Sequence, residues 1–463
     1  MSIDGTLVGS AQEFAVINPA TEETVARAPD ASEAQLDEAV NAARSAFPAW
    51  REMAWSDRAN ALRAMAERVL AHQDVLSDLL TQEQGKPLRD ARGEIIRSAE
   101  WLNETASLSA TEEQRISAAG RIHQVRHVPL GVIGAISPWN FPVSLAIWKI
   151  APALLTGNTV VLKPSPYTPL TVLKIGELFL DLLPPGVLNV ITGGDALGPL
   201  LTQHPGVDKI AFTGSTATGR AVMRSASATL KRLTLELGGN DPAIVLPDAD
   251  VDVIASKLFW AAFRNAGQVC VASKRIYVHE AIYDQLIQAL SKLAQENLPK
   301  PGHAENATIG PVQNKAQFER VRTLIESVRT AGGRLIEPAG VLPQTGYFIA
   351  PTLVDNPPED WPIVQEEPFG PVVPLLRYSD IDDAITRANA SPYGLGASVW
   401  GTDTDAATEV AARLEAGTVW INSGAAIDPV APFGGHKQSG LGVENAREGL
   451  LEYTNIQVIA HSA

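Results

Sequence analysis

The sequence predicts an α/β fold built on parallel sheets, and three observations carry that reading. From about residue 121 onward, short apolar runs rich in β-branched residues alternate with helical stretches. The runs are continuously apolar, as strands covered on both faces are, and not alternating as in half-exposed sheets. Several end abruptly in turns of glycine, proline, serine or threonine, as strands leading into helices do. Thr159-Val-Val-Leu162 stops at Lys163-Pro164, Val187-Leu-Asn-Val-Ile191 at Thr192-Gly-Gly194, and Lys209-Ile-Ala-Phe212 at Thr213-Gly-Ser215. Ala243-Ile-Val-Leu246 and Arg275-Ile-Tyr-Val278 continue the series, and 451–459 reads as a terminal strand that pairs elsewhere.

Upstream of this region the pattern is helical. Ser32-Glu-Ala-Gln35 has the form of a capping box, followed by Leu36, Val40, Ala43 and Phe47 on one face. Ser56 is expected to cap a second helix carrying Leu62, Met65 and Val69. His123 and His127 lie in an alternating run and read as a solvated strand face rather than metal ligands. No metal site is expected.

Composition narrows the function. A length of 463 residues suits two or three domains. Lys+Arg total 37 against Asp+Glu 52, a net charge of -15, which argues against nucleic acid or anionic membrane as the main partner. The N-terminus shows no basic segment leading into an apolar one, and the best apolar stretch, 128–136, is cut by Pro129, Gly131 and Gly134. The single cysteine excludes an intrachain disulfide, so a reducing, cytoplasmic setting is expected.

That cysteine, Cys270, lies in Arg264-Asn-Ala-Gly-Gln-Val-Cys270, and Leu235-Glu-Leu-Gly-Gly239 places a lone carboxylate among apolar and small residues. A thiol paired with a carboxyl group of raised pKa is the outline of a covalent catalyst. Two strand ends are also suited to a ligand. Lys163 follows a buried strand, and the turn after Phe212 carries Gly214 and Ser215 at the start of a helix, where free amides suit phosphate. The spacing there is not G-x-G-x-x-G, and a plain turn remains open.

In order along the chain stand Ser137-Pro-Trp-Asn-Phe-Pro142, Lys163-Pro-Ser165, Phe212-Thr-Gly-Ser-Thr216, Leu235-Glu-Leu-Gly-Gly239, Gly267-Gln-Val-Cys270, Glu366-Glu-Pro-Phe-Gly-Pro371, and Pro432-Phe-Gly-Gly435 with Lys437-Gln-Ser-Gly440. Together they resemble the aldehyde dehydrogenase superfamily over nearly the whole chain. The resemblance implies a Rossmann-like cofactor domain over 1–116 and 133–236 and an α/β catalytic domain over 237–423. It also implies a small β-strand oligomerisation flap from 117–132 and 445–463, giving a homodimer or homotetramer. It implies oxidation of a small-molecule aldehyde to a carboxylic acid, with Cys270 as nucleophile, Asn140 as oxyanion donor and Glu236 as the base that activates water. Trp139, Lys163, Ser165, Gly214, Ser215, Glu367 and Phe369 would bind the cofactor.

NAD is favoured over NADP. However, Pro166 stands where many NAD-preferring relatives carry Glu, which leaves NADP open. Asn240 stands where Lys is common in the family. The substrate tunnel would include Phe141, Leu145, Trp148, Val269, Val271, Ile427 and Phe433, all apolar. Arg264 resembles a carboxylate-binding arginine of succinate-semialdehyde dehydrogenases, but Trp148 stands where those enzymes carry its mate. The alternatives are a CoA-acylating semialdehyde dehydrogenase, which Glu236 argues against, and a catalytically silent relative kept for binding or structure.

Overall fold

A computed structural model describes residues 1–109, 113–117 and 120–461. Two sheets dominate it. The first has eight strands in the spatial order Thr6–Leu7, Ser2–Ile3, Leu188–Val190, Thr159–Lys163, Val132–Ile136, Lys209–Thr213, Arg232–Glu236, Gly440–Leu441. Its five central strands are parallel. Three of them are buried at every position, which explains their continuously apolar sequence. From Val132–Ile136 the chain adds strands outward in one direction, then returns to add Lys209–Thr213 and Arg232–Glu236 on the other side. The order therefore reverses between Val132–Ile136 and Lys209–Thr213. The crevice outside the carboxyl ends at such a reversal is where open α/β sheets take ligands.

The second sheet runs Arg334–Ile336, Thr352–Asp355, Val372–Tyr378, Ser273–His279, Asp241–Val245, Gly396–Trp400, Thr418–Ile421. All its neighbours are parallel except the first pair. Five of the six strands expected from the sequence are present in one of these two sheets; the sixth, expected over 451–459, runs instead over Thr454–His461.

A third, antiparallel sheet joins Glu113–Ile116, Ile122–Pro129 and Thr454–His461, the last two in register over eight residues. Glu113–Ile116 falls inside the range expected for the cofactor domain, and Ala446–Leu451 within the expected tail is a helix. Residues 118–119 and 462–463 of the expected flap lie outside the described residues. Pairing with the terminal strand leaves His123 and His127 half-buried, not solvated, and His127 Nδ1 lies 3.1 Å from Thr454 Oγ1.

The capping box at Ser32 forms in full: the Gln35 N–H donates to Ser32 Oγ and the Ser32 N–H to Gln35 Oε1. Ser56 is not a cap. The helix Trp55–Ala71 starts one residue earlier, with the Asp57 and Arg58 N–H groups donating to Ala54 O. Trp55 fixes that start by donating its Nε1–H to Leu108 O at 3.1 Å.

One buried ion pair ties the N-terminal helices to the site. Gly85, at φ +92, turns the chain between helices Gln73–Gln84 and Leu88–Ser107; a Cβ there would strike Pro19 and Pro311. That turn aims Lys86 inward. Its Nζ donates to Glu94 at 2.5 Å and to Asn140 O at 2.8 Å, with both charged side chains essentially inaccessible to solvent. The other Glu94 oxygen accepts the Val143 and Ser144 N–H groups at 3.0 and 3.2 Å. These are first-turn donors of helix Pro142–Leu155, which otherwise has no side-chain cap.

Replacing Lys86 by Met leaves Glu94 as an uncompensated buried charge. Chemical unfolding of that variant should show a loss of about 3–5 kcal/mol. Replacing Arg51, whose pair with Glu52 is exposed, should cost under about 1 kcal/mol. Equal losses in the two variants would contradict the role given to the buried pair.

Candidate active site

Strand register brings the loaded strand ends together. Lys163 pairs across from Ile136, Ile136 from Phe212, and Thr213 from Glu236. The segment 137–142 therefore leaves the sheet between Lys163 on one side and the Gly214–Ser215 turn on the other.

Asn140 is fixed from three directions. Its carbonyl accepts from Lys86 and from Asn265 Nδ2 at 3.1 Å, and its own Nδ2 donates to Gln268 O at 3.0 Å. The second Nδ2 hydrogen is left for a ligand. These bonds tie Asn140 to the turn before the thiol, which is strained. Asn265, Ala266 and Gly267 all have positive φ, at 53°, 55° and 70°. A Cβ on Gly267 would collide with Gly370 O. Gln268, buried, holds the turn by donating to Asn265 O and accepting the Gln313 N–H, each at 2.8 Å.

Cys270 follows this turn at the surface of a cavity of about 250 Å³. All eight residues expected for the substrate line it: Phe141, Leu145, Trp148, Arg264, Val269, Val271, Ile427 and Phe433. Glu236 shares the same wall; Asn140 is buried and is not among the residues that line it. Trp148 stacks on Trp101 at 5.4 Å and meets Phe433 edge-on at 5.9 Å. Sequence reasoning missed Arg97, Trp101, Ser144, Thr213, Leu237, Ala425 and Ala426 on this lining. Arg97 and Trp101 come from helix Leu88–Ser107, whose ordinary amphipathic pattern does not distinguish a face toward a cavity from one toward a core.

Electrostatics divide the two reactive groups. The Glu236 carboxyl is buried, and among the described residues neither oxygen has a hydrogen-bond partner. Burial holds its pKa well above the usual carboxylate range, the nearby Glu444 charge adds to the rise, and Lys149 opposes it. Lys149 itself donates to Glu444 at 2.6 Å and to Thr213 Oγ1 at 2.7 Å, fully buried. Burial also pushes the Cys270 thiol up to about 12; Lys274 opposes this, while Glu236, Asp241 and Glu367 add to it. Lys274 Nζ donates to Cys270 O at 2.5 Å and pairs with Glu367 at 3.1 Å.

The residues expected to hold a cofactor sit on the neighbouring side. Lys163 is buried, with one distant contact, to Pro164 O at 3.5 Å, and burial brings its ammonium down to about 8. Ser165 is also buried and accepts the Tyr167 N–H. The Gly214 N–H donates to Glu236 O, and Ser215 Oγ caps helix Thr216–Ala226 by accepting the Thr218 N–H. Trp139 meets Phe369 edge-on at 5.3 Å. Glu367 accepts the Gly239 N–H, so one of its oxygens is already shared between that amide and Lys274.

The family model for the aldehyde dehydrogenase family matches residues 7–459. The chain belongs to the aldehyde dehydrogenase family. This is a family of oxidoreductases acting on aldehydes. An aldehyde dehydrogenase of Fusarium sp is 41% identical, with 99% of this chain and 97% of the relative covered. Aldehyde dehydrogenase 1A1 of Macaca fascicularis is 38% identical, with 97% and 92% covered. The NAD+ complex of aldehyde dehydrogenase from Bacillus cereus superposes with a TM-score of 0.96 at 38% identity, covering 99% of this chain and 95% of that one.

The raised thiol pKa sets the direction of a pH test. Only the thiolate reacts with iodoacetamide, and an ordinary cysteine approaches its plateau above a pKa of about 8.5. Alkylation of Cys270 in the free protein should instead keep accelerating through about pH 10, because the thiolate fraction is still small there. Mass spectrometry of the single thiol reads this directly, and a plateau near the ordinary value would contradict the burial effect.

Proposed function

We propose that this protein oxidises an aldehyde to its carboxylic acid, with NAD or NADP as acceptor, through a covalent adduct on Cys270. The observation that carries this reading is the placement of the thiol and the buried Glu236 carboxyl on the wall of one mainly apolar cavity. In this reading the Cys270 thiolate adds to the carbonyl carbon, forming a C–S bond. The oxygen becomes an oxyanion, facing the free Asn140 Nδ2 hydrogen and the Cys270 backbone N–H. A bound nicotinamide dinucleotide supplies the acceptor for the hydride that leaves that carbon. The remaining thioester is hydrolysed when water attacks, its proton passing to Glu236. The C–S bond breaks, the acid departs and the thiolate is regenerated.

The cofactor residues fit such a group. Lys163 is a buried ammonium whose hydrogen-bond contact among the described residues is Pro164 O at 3.5 Å, at the carboxyl end of a strand beside the reversal in strand order. Ser215 opens an eleven-residue helix, where free N–H groups suit a phosphate. NAD is the favoured dinucleotide, as in the Bacillus cereus relative solved with NAD+. Pro166 offers no carboxylate against a 2′-phosphate, so NADP stays open.

Water is the acyl acceptor in this reading, because a buried base beside the thiol has a task only if hydrolysis occurs. We assign the three-stranded sheet to a homodimer or homotetramer contact, because Ile116, Ile122, Ile456 and Val458 on it are exposed. The single thiol fits a reducing, cytoplasmic setting.

Glu236→Gln should lower steady-state turnover by about 10²–10⁴-fold. A first burst of reduced cofactor, close to one per Cys270, should remain visible in rapid mixing. Cys270→Ala should show neither burst nor turnover. Acceleration by coenzyme A with release of an acyl thioester would replace the hydrolytic reading with the acylating one.

A further inference from the structure

Pro166 leaves the segment after Lys163 without an acid, but two carboxylates reach the same strand end from elsewhere in the chain. Strand Thr159–Lys163 pairs with Leu188–Val190, Leu162 opposite Val190, and the Ile191 N–H donates to Leu162 O at 2.9 Å. Lys163 and the segment 192–195 therefore leave the sheet side by side. Asp195 belongs to that segment. Asp30 is brought to it by the antiparallel hairpin of Gln12–Ile17 and Thr24–Asp30, in which it is the last residue.

Hydrogen bonds fix the end of the hairpin in this place. The Ala31 N–H donates to Thr192 O at 2.8 Å, and Thr192 Oγ1 donates to Pro29 O at 2.7 Å. The Gly194 N–H donates to Asp30 Oδ1 at 3.1 Å, and Ser10 Oγ donates to Asp30 O. Gly193 permits the close approach, since a Cβ there would stand 3.0 Å from Asp30 Oδ1. The bond to Gly194 occupies one Asp30 oxygen and spares the other. Asp30 is half-buried and Asp195 is exposed.

Both acids act on Lys163. Burial lowers that ammonium, and the charges of Asp195 and then Asp30 oppose the fall. Among the described residues neither carboxylate forms an ion pair. The balance at this strand end is thus two carboxylates against one ammonium. A ribose hydroxyl suits it, because a hydroxyl can donate to a carboxylate and accept from an ammonium. A phosphate on the same ribose carries a charge of about -1.5 to -2 at neutral pH and offers only acceptors. Against two like charges and one opposite charge it is repelled on balance.

We infer that Asp30 and Asp195 make this site select a ribose 2′-hydroxyl over a 2′-phosphate, so that NAD+ and not NADP+ is the dinucleotide this protein uses. The selection comes from an N-terminal hairpin and the turn it clamps, not from the residues that follow Lys163. The inference rests on the placement of the dinucleotide at Lys163 proposed above.

The test uses the full-length protein with Asp30→Asn, Asp195→Asn and the double variant. Asparagine at 30 keeps an oxygen for the Gly194 N–H, so charge is removed while the turn is still held. Calorimetric titration with NAD+ and with NADP+, at low and high salt, reads binding without turnover. Aldehyde oxidation with each dinucleotide, with Cys270→Ala as control, is measured alongside. The wild-type protein should bind NAD+ at least about ten-fold more tightly than NADP+ at low salt. Each single substitution should tighten NADP+ about three- to ten-fold. NAD+ should change little, because an amide oxygen still accepts from the hydroxyl. The double variant should bind the two dinucleotides about equally. Added salt should narrow the wild-type preference, because repulsion between partly exposed charges is screened, and should have little effect on the double variant.

A wild-type protein that binds NADP+ as tightly as NAD+ would overturn the inference, as would a preference that survives in the double variant. Either result alongside Cys270-dependent oxidation leaves the proposed reaction standing. Binding of neither dinucleotide would remove the cofactor reading of Lys163 and this inference together.

Discussion

The Glu94 carboxylate is the constraint on which the geometry around Cys270 rests. It is buried without access to water, so both oxygens must be satisfied by protein groups. One takes the Lys86 ammonium and the other takes the open N–H groups of helix Pro142–Leu155. Lys86 in turn holds the Asn140 carbonyl, and Asn140 holds the turn at 265–268 through Asn265 and Gln268. That turn has three successive left-handed residues and would relax if released. The thiol is thus positioned by a line of bonds that begins on a helix far from it in sequence. Removing any member frees a strained loop as well as a hydrogen bond.

The site also shows where the fold accepts instability. Among the described residues, the Glu236 carboxyl and the second oxygen of Glu444 are buried with no hydrogen-bond partner. Burial raises Asp241 to about 7, as it raises Glu236. Elsewhere the buried polar groups are largely paired. Buried carboxyl groups of raised pKa acting on one thiol, as Glu236 and Asp241 do on Cys270, are the pattern expected where proton transfer, not packing, has set the residue choice.

Much of the fold was legible because parallel sheets announce themselves as unbroken apolar runs, and the runs at 159–162, 209–212 and 243–246 were unambiguous. The capping box at Ser32 was legible for the same reason: its bonds are local. Ser56 misled because the helix start was decided by Trp55 bonding to Leu108, a tertiary contact. In the site, Cys270, Glu236 and the apolar lining could be found from motifs. Lys86, Glu94, Lys149 and Glu444 could not, because a lysine and a glutamate read as surface residues until the structure pairs them in the core. Arg97 was hidden likewise, since nothing in an amphipathic helix marks which of its charged residues will face a cavity.

The last part of the chain closes elements begun much earlier. Gly440–Leu441 adds the edge strand beside Glu236, and Leu237 donates to Ser439 O. Glu444 neutralises Lys149, Asn445 accepts from Trp101, and Thr454–His461 covers Ile122–Pro129. During synthesis on a ribosome, the N-terminal half therefore emerges with an open sheet edge and a core lysine lacking its counter-ion. It keeps both until residues 440–461 have been made. The nascent protein is exposed to mispairing until then, and a chain lacking residues 440–461 would have an unfinished core as well as an open edge.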